Sequence, residues 1–282
     1  MKIAGCVVLY NPLDECLSNI DSYIGLVDVL YVLDNSTDHN PEFVEKIKRI
    51  DKAEYIGFGA NKGIAYALKV GVGRAAELGY DFCLTMDQDS LFPTVTRAEL
   101  ERRFGEIENL EDYGIIGLNF NSDGKEKKLV EIDCWLTSGN FINLSNYKLI
   151  DGFYADLFID YVDVELNEQF RNIGKKIAYW NDLSLSHKIG EPVQHSFFGK
   201  KFTVMNHSPL RLYYRFRNAR FLYKRNKKFY GKLYRHDLFI DIPKIILFER
   251  DKRAKLKMIK KGRADAKRGI LGEYNHAERS KS

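Results

Sequence analysis

The chain has 282 residues, and no run of about 18 apolar residues occurs among them, so no membrane-spanning helix is indicated. There is no internal repeat and no low-complexity tract, which argues against repeat arrays and compositionally biased segments. Cysteine is scarce: Cys6, Cys16, Cys83 and Cys134 are widely spaced, with no CxxC. That pattern fits reduced, mostly buried thiols of a cytosolic protein. The Walker pattern, GxxxxGK followed by Ser or Thr, is missing, and no RNA-binding motif is visible. The opening MKIAGCVVLYNP has one lysine and a short apolar run, as a signal peptide would. Its β-branched residues and the Asn11-Pro12 turn favour a first strand instead.

Hydrophobic residues make up 45% of the chain, enough for a substantial core. The length fits one large domain, or one domain with an extension. Charge is unevenly placed. Residues 206–282 hold 23 Lys+Arg against 7 Asp+Glu, a net of +16, and residues 1–205 hold 21 against 32, a net of −11. An acidic body, 1–205, thus carries a basic extension, 206–282, whose partner would be an anionic surface, membrane or nucleic acid. Within the extension, RLYYRFRNARFLYKRNKKFYGKLYR sets aromatic and basic residues at helical spacing. Its Tyr213, Tyr214, Phe216, Phe221 and Tyr223 would either meet a bilayer interface or pack inward.

Periodicity predicts strands over 2–10, 27–33, 54–56 and 80–86, with helices over 13–25, 41–50 and 64–78 between them. Such alternation argues for an α/β fold with a parallel sheet and right-handed crossovers. A helix over 97–108, a strand over 114–120 and a lysine-rich turn, DGKEKK, come next. Strand pieces over 131–144, a helix over 163–173 and a strand over 176–180 complete the body. In such sheets ligands bind at the carboxyl ends of strands, and Asn11, Asp34 and Asp87 all fall at such ends.

The stretch TMDQDS ends the fourth strand with two carboxylates, Asp87 and Asp89. At strand spacing they would face the same side, where like charges repel unless a cation lies between them. A hard divalent ion, Mg²⁺ or Mn²⁺, with oxygen ligands and substrate phosphates would resolve the conflict. The competing reading is a pair of solvated surface acids. The loop GFGANKG, 57–63, precedes a helix. Its glycines permit close backbone approach, the helix start attracts anions, and Lys62 would steady a phosphate. In DLFIDYVDVE, Asp160, Asp163 and Glu165 crowd a helix start, where acids suit the helix dipole or one serves as a general base. His187, in SLSHKIGEP, is either structural or a ligand.

Taken in order, VVLYNP, VLDNS, GANKGIAYALKVG, LTMDQDS, LTSGNFI, DGFYADLFIDYVDVE and SHKIGEP resemble an inverting family-2 glycosyltransferase of the GT-A fold. Bacterial rhamnosyltransferases are the nearest likeness, with galactofuranosyltransferases as relatives. The resemblance covers residues 2 to about 190, and HSPLRLYYRFRN in the extension shares it more loosely. It implies a Rossmann-like, mostly parallel central sheet flanked by helices, with a largely helical extension. Asp34 would contact the base or ribose, beside Tyr10, Asn11 and Pro12. Asn61, Lys62 and Gly63 would border the nucleotide, with Asp87 and Gln88. Asp87 and Asp89 would hold Mg²⁺ or Mn²⁺, Asp89 more directly, and His187 would complete the shell. Asp163 matches the catalytic base. Trp135, Thr137, Ser138, Gly139, Asp160 and Glu165 are acceptor-side candidates. The basic residue that the family often carries soon after this motif is replaced by Gln169, and the first arginine is Arg171.

The resemblance thus implies transfer of L-rhamnose from dTDP-β-L-rhamnose to a glycan or lipid-linked acceptor, at the inner face of a bacterial membrane. A homodimer through the extension and peripheral contact with anionic membrane are further expectations, and nucleic acid is not an expected partner. A galactofuranosyl or other hexosyl transferase using a UDP-sugar is the nearest alternative. A haloacid-dehalogenase-like phosphatase would also use DxDxS after a strand, but its motif follows the first strand of the domain, and here three strands precede it. Nucleic-acid binding through RLYYRFRNARF is the non-enzymatic alternative.

Overall fold

The computed structural model describes residues 1–120, 128–187, 193–197 and 200–274. The first β-strand, β1 (Ile3–Leu9), is buried throughout, as its unbroken apolar run requires. Helix α1 (Glu15–Asp21), strand β2 (Val29–Asp34), α2 (Pro41–Lys48), β3 (Ala53–Gly57), α3 (Ile64–Glu77) and β4 (Phe82–Asp87) follow. The expected helix over 13–25 is shorter because Ser22 stops it. The Ser22 hydroxyl donates to the Asn19 carbonyl at 2.6 Å and accepts the Phe92 N–H at 3.0 Å. Asn40 caps α2 by accepting the Glu42 N–H at 3.0 Å, and Pro41 starts the helix where a missing donor costs nothing.

Strand β5 (Ser90–Leu91), α4 (Arg97–Gly105), β6 (Tyr113–Asn119), β7 (Leu129–Ile132), β8 (Asn140–Asn143), the short α5 (Leu144–Tyr147), α6 (Val162–Asn172), β9 (Lys176–Ser184) and β10 (Ser186–His187) come next. The main sheet has eight strands in the order β3-β2-β1-β4-β8-β6-β9-β7. The first four are mutually parallel, as the alternation predicted. The sheet is nevertheless mixed. Strand β8 is antiparallel to both β4 and β6, and β7 is antiparallel to β9. The expected turn over 123–128 lies largely outside the described residues. Helix α4 packs through Phe104, whose ring lies 4.6 Å from Phe82, 5.3 Å from Phe141 and 5.1 Å from Trp180. Arg103 adds a bidentate pair to Asp182 at 3.1 and 2.7 Å, tying α4 to β9.

The chain splits into two compact units. The first comprises residues 1–155 and 162–188, and the second 156–161 and 189–282. The second unit contains β11 (Val193–Phe197), β12 (Lys200–Val204), α7 (Pro209–Arg225), α8 (Lys227–His236), a π-helical stretch (Asp237–Asp241), α9 (Ile242–Phe248) and α10 (Lys252–Arg268). Tyr213, Tyr214 and Phe216 are buried inside this unit, which decides between the two positions open to them. Helices α7 and α10 touch closely at Gly262, where a Cβ would collide with the Tyr213 carbonyl oxygen.

Segment 156–161 belongs to the second unit and is unusual backbone. Phe158, Asp160 and Tyr161 all have φ of 65–66°, a left-handed conformation that non-glycine residues avoid. Two buried residues of α7 hold it. The Arg217 guanidinium donates to the carbonyls of Asp156 at 3.1 Å and Leu157 at 2.9 Å, and to the carbonyl of Gly272. The Asn218 amide lies 2.8–2.9 Å from the carbonyls of Leu157, Ile159 and Asp160. Phe158 stacks on Tyr214 at 4.7 Å, and the Tyr161 hydroxyl donates to Asp237 at 2.7 Å.

Candidate active site

In the first unit, the sheet register brings three expected features to one edge. Leu9 pairs with Asp34, Asp34 with Gly57, and Val8 with Asp87, so the ends of β1 to β4 are aligned. Asp34 is buried and fully engaged. Its carboxylate accepts the Ser36 N–H at 2.9 Å, the Tyr55 hydroxyl at 2.7 Å and His39 Nδ1 at 2.9 Å. His39 Nε2 accepts the Gly59 N–H at 3.1 Å, which leaves the ring proton on Nδ1 to face Asp34. Burial pushes the Asp34 pKa up, but the bonds from Ser36, Tyr55 and His39 outweigh it and hold the carboxyl below its usual range.

Because that pKa is depressed on folding, the stabilisation is complete above the unfolded value, about pH 4, and fades as pH falls through the folded value. Asp34→Asn would set an amide N–H₂ against the Tyr55 and His39 donors. We expect a loss of about 2 kcal/mol in urea unfolding at pH 7, with the gap to the parent closing in acid. A parent-like urea midpoint at pH 7 would refute this role.

Next to Asp34, Asn35 joins two loops. Its Oδ1 accepts the Lys62 N–H at 2.7 Å, and its Nδ2 donates to Asn61 Oδ1 at 3.0 Å. Asn61 Oδ1 also accepts the Gly63 N–H at 3.0 Å, and Gly63, at φ 85°, opens α3. Only a glycine turns there without strain. The Asn11 N–H donates to Ser36 Oγ at 2.8 Å, and Asn11 itself has a φ of 46°. Tyr10 is exposed and Pro12 half-buried.

Strand β4 ends at Asp87, and Gln88 and Asp89 form a turn before β5. Strand alternation therefore does not relate the two aspartates, contrary to the expectation from spacing; the turn sets their relation. Gln88 spends its amide on the backbone of Tyr10, accepting the N–H at 2.8 Å and donating to the carbonyl at 3.3 Å. Asp87 and Asp89 are both half-buried, and their charges help raise the pKa of Tyr23 and Cys16 respectively, after burial as the main cause. Two such carboxylates are a suitable donor set for Mg²⁺ or Mn²⁺, which takes one or two protein carboxylates plus phosphate oxygens. The backbone of His187 pairs with Ser90, one residue beyond Asp89, while its side chain lies outside the described residues.

The 135–140 loop is stitched to β4. The Asp87 N–H donates to Ser138 Oγ at 3.0 Å, and Ser138 lies 2.8 Å from Ser90 Oγ. Thr85 donates to the Thr137 carbonyl at 2.7 Å, and the Gly139 N–H donates to the Thr85 carbonyl at 2.8 Å. Trp135 stacks on Tyr179 with ring centroids 4.1 Å apart, and its indole N–H donates to the Leu118 carbonyl at 2.9 Å. Asn167 of α6 clamps the Trp135 backbone at 3.2 and 3.0 Å and reaches the Asp163 carbonyl at 2.6 Å. One line of bonds therefore runs from the helix of Asp163 through the loop to the strand of Asp87.

The three crowded acids separate. Asp163 is half-buried in the first turn of α6 and accepts the Val164 N–H at 2.8 Å. The Cys134 thiol is pushed up to about 12, first by burial and then by the charge of Asp163. Glu165 is buried and accepts from Gln169 Nε2 at 2.7 Å, so Gln169 meets the acid that a basic residue would otherwise meet. Asp160 lies in the second unit, paired with Arg211 at 3.2 Å. Among the described residues, one group of three ligating side chains lies close enough for a metal: His236, Asp237 and Asp241 in the second unit. Arg215 already bridges its two aspartates, Asp237 and Asp241.

Sequence reasoning did not single out Asn35, Ser36, His39, Tyr55 or Asn167. The quoted VLDNS held the first two, whereas the others have no local signature.

The sequence profile described as Glycosyl transferase family 2 matches residues 6–158. The dTDP-rhamnosyl transferase RfbF of Shigella flexneri is 27% identical over 254 residues, covering 80% of this chain and 81% of its own. Residues 1–349 of S. aureus TarS in complex with UDP-GlcNAc match with a TM-score of 0.58 at 15% identity, over 94% of this chain and 81% of that one. A longer TarS chain matches with a TM-score of 0.54 at 15% identity, over 94% of this chain, which spans 44% of its length. GalNAc-T7 with UDP, GalNAc and Mn²⁺ matches with a TM-score of 0.58 at 10% identity, over 96% of this chain and 56% of that one. At these identities the solved structures show a shared fold.

Proposed function

Because the chain belongs to glycosyl transferase family 2 and has the GT-A fold, we propose that it transfers a sugar from a nucleoside diphosphate to an acceptor hydroxyl, with inversion. The observation that carries this reading is the alignment of Asp34, the 57–63 loop and Asp87–Asp89 along one sheet edge. In an open α/β sheet that edge is where ligands bind.

In this reading Tyr10, Asn11 and Pro12 receive the base or ribose, and Asp34 shapes that site through the bonds it accepts from Ser36, His39 and Tyr55. Asn61, Lys62 and Gly63 border the diphosphate at the start of α3, where helix N–H groups favour anions. Gln88 acts through the Tyr10 backbone. Asp87 and Asp89 would hold Mg²⁺ or Mn²⁺, with His187 as a further ligand; the ion supplies positive charge against the departing diphosphate. Asp163 takes the proton from the acceptor hydroxyl as it attacks the anomeric carbon. Trp135, Thr137, Ser138, Gly139 and Glu165 are the acceptor-side candidates of this reading, while Asp160, in the second unit and paired with Arg211, is left out of it.

The RfbF likeness supports a dTDP-rhamnose donor, so inversion of dTDP-β-L-rhamnose would give an α-L-rhamnoside. A UDP-hexose donor is the alternative, supported by the nucleotide sugar in the TarS complex. The catalytic chemistry belongs to the body, 1–205. The basic extension, 206–282, would meet an anionic membrane or a second copy of the chain, which suits a lipid-linked or cell-surface glycan acceptor and a site at the inner membrane face.

Thermal shift with Mn²⁺ and a panel of dTDP-, UDP- and GDP-sugars tests the donor. A selective rise with dTDP-rhamnose is expected, and a larger rise with a UDP-sugar would transfer the assignment to that donor. Excess EDTA should abolish transfer, and undiminished activity in EDTA would remove the metal from the scheme.

A further inference from the structure

In the second unit, residues of α7, α9 and α10 line an open cleft of about 390 Å³. Ile242, Leu256 and Ile259 give it an apolar floor, and Arg220, Lys260, Arg263 and Lys267 line it chiefly through their aliphatic stems, so their charges belong to its rim. No acidic residue lines it. Arg220 Nε and Arg263 Nε are buried without a hydrogen-bond partner among the described residues, so each is a donor that lacks an acceptor. An apolar floor under unopposed cations matches an anionic amphiphile: a phosphate for the rim and a hydrocarbon chain for the floor.

A second feature adjoins the first. The helical run from Asp237 to Phe248, which supplies Ile242 to the cleft, also exposes Phe239, Ile240, Ile246 and Leu247. Phe239 is 70% and Leu247 59% exposed, and with Ile240 and Ile246 they form a run of exposed apolar side chains within twelve residues. The four recur at a spacing of seven, which returns each to about the same side of a helix. An amphipathic run of this kind lies in the interfacial plane of a bilayer, with its apolar side among the acyl chains. No described helix is long and apolar enough to cross a membrane.

We propose that this cleft is a binding site for the phosphate headgroup and upper acyl chain of an anionic bilayer lipid, with Phe239, Ile240, Ile246 and Leu247 entering the interface beside it. The site deepens the membrane contact suggested for the extension and locates it. Of the five α7 aromatics first considered for the interface, Tyr213, Tyr214 and Phe216 are buried and so are not part of the membrane face, while Phe221 and Tyr223 are half-buried.

Co-sedimentation of the full chain with phosphatidylglycerol and phosphatidylcholine vesicles tests the site. We expect binding to phosphatidylglycerol alone, weakened by salt. A cation near an anionic surface is worth about a fivefold factor. Lys260→Gln/Lys267→Gln should therefore bind roughly 25-fold more weakly. Ala264→Trp blocks the cleft from its exposed wall without altering charge, and at least tenfold weaker binding is expected from it. Equal binding to both vesicles, or unchanged binding by Ala264→Trp, would overturn the assignment. Full displacement by millimolar inorganic phosphate would make this a phosphate site without a lipid, and equally tight binding of single-stranded RNA would make it a general polyanion surface. Nucleotide-sugar thermal shifts, measured on the same variants, should stay at parent values. Their failure in the parent protein bears on the transferase reading and leaves the vesicle result standing.

Discussion

Asp163→Asn is expected to lower the rate of sugar transfer by roughly 10²- to 10⁴-fold, the usual range for a general base, while donor affinity stays at its parent value. Asparagine has nearly the same volume and still accepts the Val164 N–H through its amide oxygen, so the first turn of α6 keeps its capping bond. The Asn167 contacts to the Trp135 backbone and the Asp163 carbonyl do not involve the replaced group. What disappears is the capacity to take a proton. Titration calorimetry with the nucleotide sugar separates binding from chemistry, and circular dichroism confirms the fold. Full turnover in the asparagine variant would exclude Asp163 as the base. A loss of donor binding equal to the loss of rate would make it a binding residue instead.

The second large effect concerns Arg217. Arg217→Met should destabilise the second unit by about 2–4 kcal/mol, as losing several buried hydrogen bonds from a charged donor does. The side chain is fully buried in α7, and its removal takes a donor from the carbonyls of Asp156, Leu157 and Gly272. Asp156 keeps the Gly272 N–H, and Leu157 keeps the Ile159 N–H and the Asn218 amide, so the loss falls hardest on Gly272. Methionine fills much of the volume, so a cavity explains little of the change. The backbone it secures is itself costly. Left-handed conformations at Phe158, Asp160 and Tyr161 cost about 1–3 kcal/mol each. Arg217→Lys offers one nitrogen in place of a planar fork and should recover only part of the loss. Urea unfolding followed by fluorescence gives the measurement, and a midpoint within error of the parent would refute the clamp.

The parts legible in the sequence were those written in local pattern. Strands β1, β2 and β4 are apolar runs that end in polar residues, so their ends, and with them Asp34 and Asp87, were placed before any coordinates. Strand β8 falls within the strand pieces expected over 131–144, but its antiparallel direction has no signature in so short a run, Phe141 and Ile142 between two asparagines. Asn167 and Asn218 were hidden for a different reason: each is a buried polar residue in mid-helix whose partners are carbonyls distant in sequence. The left-handed run near Phe158 had no glycine to announce it. The aromatic helix left two positions open, since alternating rings and cations suit an interface and an interior equally. Burial chose the interior for Tyr213, Tyr214 and Phe216 and left Phe221 and Tyr223 half-buried, while a run of exposed apolar residues, Phe239, Ile240, Ile246 and Leu247, lies in a stretch the charge pattern did not single out.

The assignment of residues 156–161 to the second unit has a practical consequence for building chimaeras. The chain leaves one unit at Ala155, spends six residues in the other, and returns at Val162. The helical unit of this chain, moved into a relative with a join near residue 206, would arrive without the hexapeptide that Arg217 and Asn218 grip. The recipient's hexapeptide would in turn find foreign donors. Any exchange of the second unit must therefore be a two-segment graft, with 156–161 and 189–282 moving together.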